Sequence, residues 1–178
     1  MEMRALPPVD LLRSMLDYDP ADGKFTWKPR SDGTCFDSKY AGLPAGSKRA
    51  GGYVMISING YGIYGAHRLA WAHYHGRAPD GEIDHRDQNP SNNAIDNLRP
   101  ASSSQQKMNK RVQSNNRSGL KGAYFHACRK GQQWRSQIKF EGRLIFIGYF
   151  DTAQAAHEAY MRKSAELFGE FHPKVVSA

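Results

Sequence analysis

Residues 83–97, with the sequence IDHRDQNPSNNAIDN, organise the rest of this chain. Asp84 and His85 stand near the start of the stretch, and Asn97 closes it. Aspartate carboxylates bind hard divalent cations, and histidine can accept a proton from water near neutral pH. Most residues between the pair and Asn97 are turn formers, which predicts a loop. Because the sequence then turns apolar and residues 103–110 can form a helix, we expect a strand-loop-strand-helix unit that binds metal.

The composition is that of a soluble globular protein whose charge is divided unevenly. Apolar residues make up 39% and charged residues 24% of the 178 residues, which excludes a disordered chain. Up to Leu98 there are 11 Lys and Arg against 12 Asp and Glu, whereas from Arg99 onward there are 14 against 5. A basic second half suits a polyanion such as nucleic acid, because phosphate contacts release counterions. A solvated basic surface is the alternative interpretation.

The sequence also indicates where the protein works. No run of about 18 apolar residues occurs, and the N-terminus lacks the basic start and apolar stretch of a signal peptide. Cys35 and Cys128 lie far apart and outside any CxxC pattern, which argues against a cysteine zinc site. We therefore expect no membrane span and a reducing cytoplasm.

Periodicity and turn residues predict the elements of both halves. In the first half these are, in chain order, a helix over 8–18, a strand over 24–27, an irregular stretch over 29–52, strands over 53–58 and 61–64 joined by Asn59-Gly60, and a helix from 66 to Gly76. In the second half they are a polar linker over 113–118, strands over 122–127, 134–140 and 144–149, and a helix over 151–168. Asp151 is expected as the N-cap of that last helix, with Gln154 at the capping-box position. Gly169 is expected to end it.

The pattern around residues 83–97 resembles the HNH nuclease motif of phage and intron-borne homing endonucleases. The matching residues are Asp84-His85, Asn92-Asn93, Asn97-Leu98 and the polar helix after them, with His67-Arg68-Leu69-Ala70-Trp71 upstream. The resemblance implies an HNH ββα-metal fold that hydrolyses phosphodiester bonds, leaving 5′-phosphate and 3′-hydroxyl ends. The alternative is a loop whose Asn and Asp residues only form turns.

The resemblance also implies roles for individual residues. His85 matches the general base, and Asn97 matches the asparagine that braces the loop and helps to orient that base. Asp84 matches one ligand of a single divalent metal ion, with Mg²⁺ or Mn²⁺ expected. The second ligand position falls on Gln106, nine residues after Asn97, where relatives more often have His or Asn. Asn109, one helical turn later, is the alternative ligand.

Three further histidines, His67, His73 and His75, invite a metal interpretation. His67 lies six and eight positions from the other two, and no carboxylate shares their face. Core or surface roles are therefore expected. The functional alternative is that His67 or Arg68 contacts backbone phosphates.

Alternation in the second predicted strand of the C-terminal segment separates a polar face from an apolar one. Arg135, Gln137 and Lys139 fall on one face, while Ile138 and Phe140 fall on the other. A sheet with one basic face and one helix-covered face is suited to the DNA major groove.

Residues 119–172 resemble the Apetala-2/ethylene-response-factor DNA-binding domain. The matching residues are Lys121-Gly122-Ala123-Tyr124, Trp134-Arg135-Ser136-Gln137-Ile138, Ile147-Gly148-Tyr149-Phe150-Asp151-Thr152, the helix start at 155–160 and Phe168-Gly169-Glu170-Phe171. The resemblance implies DNA contacts from Lys121, Tyr124, His126, Gln137, Lys139 and Phe146. Arg135 and Arg143 are added on charge and facing alone. Tyr124 and His126 stand where plant members often have arginines, so no base preference carries over.

These observations predict an α+β protein with an HNH ββα-metal motif, followed by a small three-stranded antiparallel sheet packed on one helix. The expected divisions are an N-terminal helix and irregular region over 1–52, a nuclease domain over 53–112, a linker over 113–118, a DNA-binding domain over 119–172 and a tail over 173–178. The predicted function is site-selective cleavage of double-stranded DNA in a bacterial cytoplasm by a phage or mobile-element protein. A monomer or weak dimer with no small-molecule cofactor is expected. The alternative is a non-catalytic DNA-binding regulator on an inactive HNH scaffold.

Overall fold

The computed structural model describes residues 4–30, 35–110, 112, 116–127, 131 and 133–171. The chain divides into two compact units, Met1–Ala101 and Ser102–Ala178. Helices and small antiparallel sheets occur together in the described residues, which agrees with the α+β class. No helix in the described ranges combines the length and apolar character needed to cross a membrane.

The first unit consists of short elements. Its described helices and strands are α1 (Val9–Met15), β1 (Leu16–Tyr18), β2 (Phe25–Trp27), α2 (Cys35–Tyr40), β3 (Ser47–Lys48), β4 (Val54–Ile58), β5 (Gly62–Gly65), α3 (Ala66–His75), β6 (Glu82–His85) and β7 (Leu98–Ala101). All strand pairings are antiparallel and form the sheets β1-β2, β3-β4-β5 and β6-β7. A 3₁₀ turn over Ile95–Asn97 leads into β7.

The hairpin and helix expected before the site are confirmed. Asn59-Gly60 joins β4 to β5, and Gly60 has a φ of 77°, which glycine adopts without strain. Helix α3 ends at Gly76, whose φ of 71° lets its N–H close the last turn on the carbonyl of Ala72.

Two predictions for the N-terminal region are wrong. The helix over 8–18 ends at Met15, and Leu16–Tyr18 instead pairs with Phe25–Trp27 as a strand. Leu16 is fully buried as a strand residue, so its apolar character did not distinguish the two structures. The stretch predicted to be irregular contains α2, where Arg30 lies 3.6 Å above the Phe36 ring.

The core of the first unit also fixes the strands that carry the site. Leu12, Leu16 and Leu69 are fully buried within it. Ile83 of β6 and Leu98 of β7 belong to the same cluster. Burial of these two side chains therefore anchors the residues next to them, Asp84 and Arg99, in the pairing of β6 with β7.

The second unit contains one sheet with a helix on one face. Its described elements are α4 (Ser103–Asn109), β8 (Ala123–Phe125), β9 (Trp134–Phe140), β10 (Arg143–Phe150) and α5 (Ala153–Phe168), with a 3₁₀ turn over Gly169–Phe171. The strands are antiparallel in the order β10-β9-β8. Ile138 and Ser136 are buried on the face that α5 covers, and the Phe140 ring lies 5.2 Å from that of Phe168.

The predicted start of α5 is wrong by one residue. Thr152 is the N-cap, since its hydroxyl accepts a 3.1 Å hydrogen bond from the Ala155 N–H. Asp151 therefore lies outside the helix, and Gln154 bonds Glu158 instead of completing a capping box. A full capping box does occur at the start of α4, between Ser102 and Gln105.

Candidate active site

Asp84 and His85 are consecutive residues at the end of β6, and both are buried. In the β6–β7 register Asp84 lies opposite Arg99 and His85 lies opposite Leu98. Because side chains alternate along a strand, the carboxylate and the imidazole leave the backbone on opposite sides. The pair can therefore serve two different partners.

The carboxylate of Asp84 forms a buried ion pair with Arg99. The guanidinium donates from Nε at 3.0 Å and from a terminal nitrogen at 2.9 Å, both to Oδ2. A buried carboxylate needs such compensation. A cation bound by Asp84 would therefore share that carboxylate with an arginine. We had not predicted Arg99 as a site residue, although pairing the two predicted strands across the loop would have brought it opposite Asp84.

His85 is oriented by Asn93. Its Nε2 donates to the Oδ1 of Asn93 at 3.2 Å, while the Asn93 amide nitrogen donates to the carbonyl of Ser91 at 3.3 Å. These bonds favour the tautomer with the proton on Nε2, which leaves Nδ1 as the basic nitrogen. Burial lowers the pKa of His85, against the opposing effects of Asn93, Asp87 and Asp84. A neutral imidazole is the form that can accept a proton from water.

Asn93, which contacts His85 through its side chain, is held through its backbone by β1 and by the turn between β1 and β2. Asn93 is only 2% exposed, and its carbonyl accepts a 2.8 Å bond from the Tyr18 hydroxyl. Gly23 has a φ of 74°, and a Cβ there would lie 2.2 Å from the Asn93 carbonyl carbon. The N–H of Ile95 donates to the carbonyl of Pro20 at 2.9 Å. Asn93 belonged to the predicted motif without a role, because nothing in the sequence separated it from Asn92.

Asn97 braces the loop from within. Its Oδ1 accepts from the Asp87 N–H at 3.0 Å, and its Nδ2 donates to Asp87 Oδ1 at 2.9 Å and to the Asn92 carbonyl at 2.8 Å. Burial alone would raise the pKa of Asp87, but hydrogen bonds from Asn89, Asn92 and Asn97 hold it below its usual range. In the described residues, the hydrogen bond that orients His85 is the one that its ring donates to Asn93.

An aromatic group flanks His85 in the first unit. The His67 ring centroid lies 5.3 Å from that of His85, and Tyr53 lies 5.7 Å from His67 and 6.1 Å from His85. Burial, with His85 and Arg68 nearby, lowers the pKa of His67 to about 4. A neutral ring at this position is a poor phosphate contact, so the geometry favours packing beside His85 over the predicted phosphate role. Arg68 lies one residue on, on the same helix, and is half-buried.

His73 and His75 lie elsewhere in the first unit. The Nε2 of His73 lies 3.1 Å from the Leu16 carbonyl, and its ring packs edge-on against Tyr18 and Phe25. His75 lies on Trp71, with ring centroids 4.0 Å apart. Both positions are packing positions.

The expected second metal ligands, Gln106 and Asn109, lie on α4 in the second unit. Asn109 is buried and Gln106 half-buried. No cluster of three His, Cys, Asp or Glu side chains that could hold a metal occurs among the described residues. One carboxylate with amide oxygens is nevertheless a hard donor set that fits Mg²⁺ or Mn²⁺.

The outer face of the second unit's sheet, opposite α5, is polar and aromatic. Register places on it Tyr124 opposite Arg135, Gln137 opposite Phe146 and Lys139 opposite Leu144. The His126 ring lies 5.6 Å from the Tyr149 ring, which is itself opposite Arg135.

Several polar atoms on this outer face are buried without a hydrogen-bond partner. Among the described residues, they are Arg135 Nε, Gln137 Oε1 and His126 Nδ1. The Arg135 guanidinium lies 5.8 Å from the Phe146 ring centroid. Buried polar atoms are normally satisfied, so these groups are arranged for a ligand or ordered water.

Two residues expected on this face lie differently. Arg143 pairs with Phe140, whose ring packs on α5, so the facing assigned to Arg143 is wrong. The ammonium of Lys121 donates to the carbonyls of Met108 and Lys110 at the end of α4, which occupies it within the second unit.

Comparison with known proteins agrees with this geometry. Residues 64–108, which include Asp84, His85, Asn93 and Asn97, match the HNH endonuclease family. This part of the chain is therefore similar to the HNH endonuclease domain.

Protein 3.8 of Escherichia phage T7 is 34% identical over 106 residues, which cover 59% of this chain and 85% of the phage protein. The chain belongs to the family of that phage protein. No solved structure matches the chain.

Proposed function

We propose that this protein is a site-selective, metal-dependent endonuclease that hydrolyses phosphodiester bonds of double-stranded DNA. The observation that carries the proposal is the hydrogen bond from His85 Nε2 to the buried Asn93 amide, inside the segment that matches HNH endonucleases. That bond presents a neutral imidazole nitrogen in a fixed direction. An attacking water needs such a base to lose its proton.

His85 takes the proton of the attacking water at Nδ1, and Asn93 keeps the ring from turning. Asn97 and Asp87 hold the loop between the two strands in its conformation. Arg99 pairs with the Asp84 carboxylate and fixes its orientation. The expected products carry 5′-phosphate and 3′-hydroxyl ends.

Asp84, with Gln106 or Asn109, would hold a single divalent ion, Mg²⁺ or Mn²⁺. Such an ion stabilises the charge that develops on the phosphate and on the leaving 3′ oxygen. Oxygen ligands of this kind leave the choice between the two ions open.

The outer face of the sheet would position the nuclease on duplex DNA. The resemblance of residues 119–172 to the Apetala-2/ethylene-response-factor domain supports this role, as do the atoms of Arg135 and Gln137 that lack partners among the described residues. The phage relative supports a phage-encoded protein that acts in the bacterial host. A monomer or weak dimer is the expected form of the protein.

A second candidate is a DNA-binding regulator with an inactive HNH segment. Arg99 already occupies Oδ2 of Asp84, and Gln106 stands where relatives more often have His or Asn. Both features would weaken metal binding.

Supercoiled plasmid incubated with Mg²⁺ or Mn²⁺ tests the proposal. We expect nicking or linearisation that falls by about 10²–10⁴-fold in His85→Ala. His75→Ala is the matched control, because that exposed ring packs, among the described residues, on Trp71 and Tyr74 of α3. Metal titrations of Gln106→Ala and Asn109→Ala then identify the second ligand. Binding without cleavage across several metals would favour the regulator, and full activity in His85→Ala would rule out the assigned base.

A further inference from the structure

The second unit contains a groove between the end of α4 and the edge strand β8, with a cavity volume of about 870 Å³. We call it the α4–β8 groove. The residues of its lining that matter here are Lys107, Lys110, Arg117, Lys121, Tyr124 and Phe125. It borders the outer face that carries Arg135, Gln137 and Lys139, because Tyr124 belongs to both surfaces.

Hydrogen bonds of Lys121 hold the two walls of the groove together. Its ammonium donates to the carbonyls of Met108 and Lys110 and so closes the end of α4. Its own carbonyl lies 2.7 Å from the Nδ1 of His157 on α5. The start of β8 is therefore tied both to α4 and to α5, so the groove is built into the fold of this unit.

The charged side chains in the described lining of the groove are all positive. Four cationic side chains line it, and no Asp or Glu is among its described lining residues. Lys107, Lys110 and Arg117 are exposed. The unit as a whole has 13 Lys and Arg against 5 Asp and Glu. A concave surface of one sign concentrates ligands of the opposite sign, here a chain of phosphates.

Two aromatic rings add a second feature to the groove. Tyr124 is 49% exposed and Phe125 is 51% exposed, both on the edge strand β8. Exposed rings beside cations are the arrangement that binds unpaired nucleotides, since bases stack on rings while phosphates contact the cations. In a duplex the faces of the bases are covered by their neighbours. The rings therefore favour a single strand over a duplex.

We propose that the α4–β8 groove binds a single-stranded segment of DNA, with phosphates on Lys107, Lys110 and Arg117 and a base on Phe125. The inference rests on the proposed function only in taking DNA as the substrate. It adds a strand-binding site to the duplex-binding outer face. A nuclease that holds an unpaired strand beside a duplex would select junctions, bubbles or nicked ends.

Binding in EDTA tests this proposal without any cleavage. Fluorescence anisotropy of oligothymidylate of about ten nucleotides would be compared with a duplex of equal length, using His85→Ala protein. The groove variant is Lys107→Gln/Lys110→Gln/Arg117→Gln. The matched control, Arg143→Gln/Arg162→Gln/Lys163→Gln, removes the same charge from positions of this unit outside both the groove and the outer face.

We expect the groove variant to lose single-strand binding, with a salt slope smaller by about 2. The control variant should keep the wild-type slope for oligothymidylate. Phe125→Leu, which retains an apolar side chain beside Trp134, should weaken single-strand binding about fivefold to a hundredfold. Photo-cross-linking of 4-thiothymidine oligonucleotides should label the peptide that contains Tyr124 and Phe125.

Equal loss of single-strand binding in both triple variants, or cross-links confined to other peptides, would overturn the proposal. Equal loss of single-strand and duplex binding in the groove variant would assign the groove to the duplex backbone and overturn it too. Plasmid cleavage is measured separately. An inactive protein that binds oligothymidylate through the groove would refute the nuclease and retain this site.

Discussion

Two regions of the molecule differ in how their polar side chains are hydrogen-bonded. One is the loop over residues 85–97, and the other is the outer face of the second unit's sheet. In the loop, Asn93 and Asn97 bond to other residues of the loop, so its conformation is fixed before any ligand binds. On the outer face, buried polar atoms of Arg135 and Gln137 lack partners among the described residues. The first arrangement suits chemistry, which needs fixed groups. The second suits recognition, in which the ligand supplies the missing partners.

The two units that contain these regions also differ in net charge. Residues 1–101 have 12 Lys and Arg against 12 Asp and Glu, whereas residues 102–178 have 13 against 5. A neutral unit gains little long-range attraction to DNA, while a basic unit gains much. Substitutions in the first unit should therefore change stability and catalysis, and substitutions on the second unit's surface should change binding.

The largest effect is expected from Arg99→Met. It would leave the Asp84 carboxylate buried without its cation, and we expect the free energy of unfolding to fall by about 3–5 kcal/mol. Urea unfolding followed by tryptophan fluorescence would measure the loss.

The double variant Arg99→Met/Asp84→Leu is the control for that experiment. Replacing both charges with apolar groups should recover most of the lost stability, because no ion then remains unpaired. Plasmid cleavage should be absent in the double variant, since the proposed metal ligand is gone. A double variant as unstable as the single one would show that the ion pair is not the cause.

The next effect concerns the support of Asn93 by the β1–β2 turn. In Gly23→Ala, a positive φ is combined with a Cβ 2.2 Å from the Asn93 carbonyl carbon, so we expect a loss of about 3 kcal/mol. Gly42 has a φ of 77° but no atom within 4 Å of a Cβ, so Gly42→Ala should lose only about 1 kcal/mol. Thermal unfolding of the two variants isolates the contact, and equal losses would refute it.

Local sequence patterns predicted the parts of the fold that depend on local chemistry. Asn59-Gly60 made the hairpin and Gly76 ended α3, because each needs only a backbone conformation that its residues favour. The strand at Leu16 was missed because an apolar residue there is buried in a helix or a strand alike. Arg143 was misplaced because its facing depends on the length of the turn at Glu141-Gly142.

In the candidate site, too, some residues were predicted from the sequence and others were identified only from the fold. Asp84, His85 and Asn97 were predicted from their chemistry and from the resemblance to the HNH motif, and the family match covers all three positions. Asn93 and Arg99 act through partners that only the folded chain brings near, His85 in one case and Asp84 in the other. Spacing cannot reveal such partners. Tyr18 is a further example, since it contacts Asn93 from 75 residues away in sequence.

A smaller change in the free energy of unfolding is expected from pH, through Lys121 of the second unit. Burial lowers the pKa of Lys121 to about 8, against 10.5 for an ordinary lysine. The unfolded chain then binds more protons between those values, so stability should rise with pH across that window and be flat below it. Burial also raises the pKa of Tyr160. This shift lowers the stability as pH rises, but only from about the ordinary tyrosine value of 10.0 upward.

Thermal unfolding at about pH 7 and about pH 9.5 would measure that rise. Lys121→Met should lose most of the difference between the two pH values, although its stability at each value differs from that of the wild type. An unchanged difference would assign the pH dependence to another group.

The smallest effect on stability, and the sharpest on binding, is expected from Lys139→Gln. Lys139 is exposed on the outer face, so the free energy of unfolding should change by no more than about 0.5 kcal/mol. If the lysine contacts a phosphate of duplex DNA, the slope of log affinity against log salt should fall by about 0.9. Arg162→Gln removes the same charge from an exposed position on α5, opposite the outer face, and should leave the slope unchanged. Equal slopes in the two variants would mean that the second unit attracts duplex DNA through its overall charge, without the outer face in contact with the backbone.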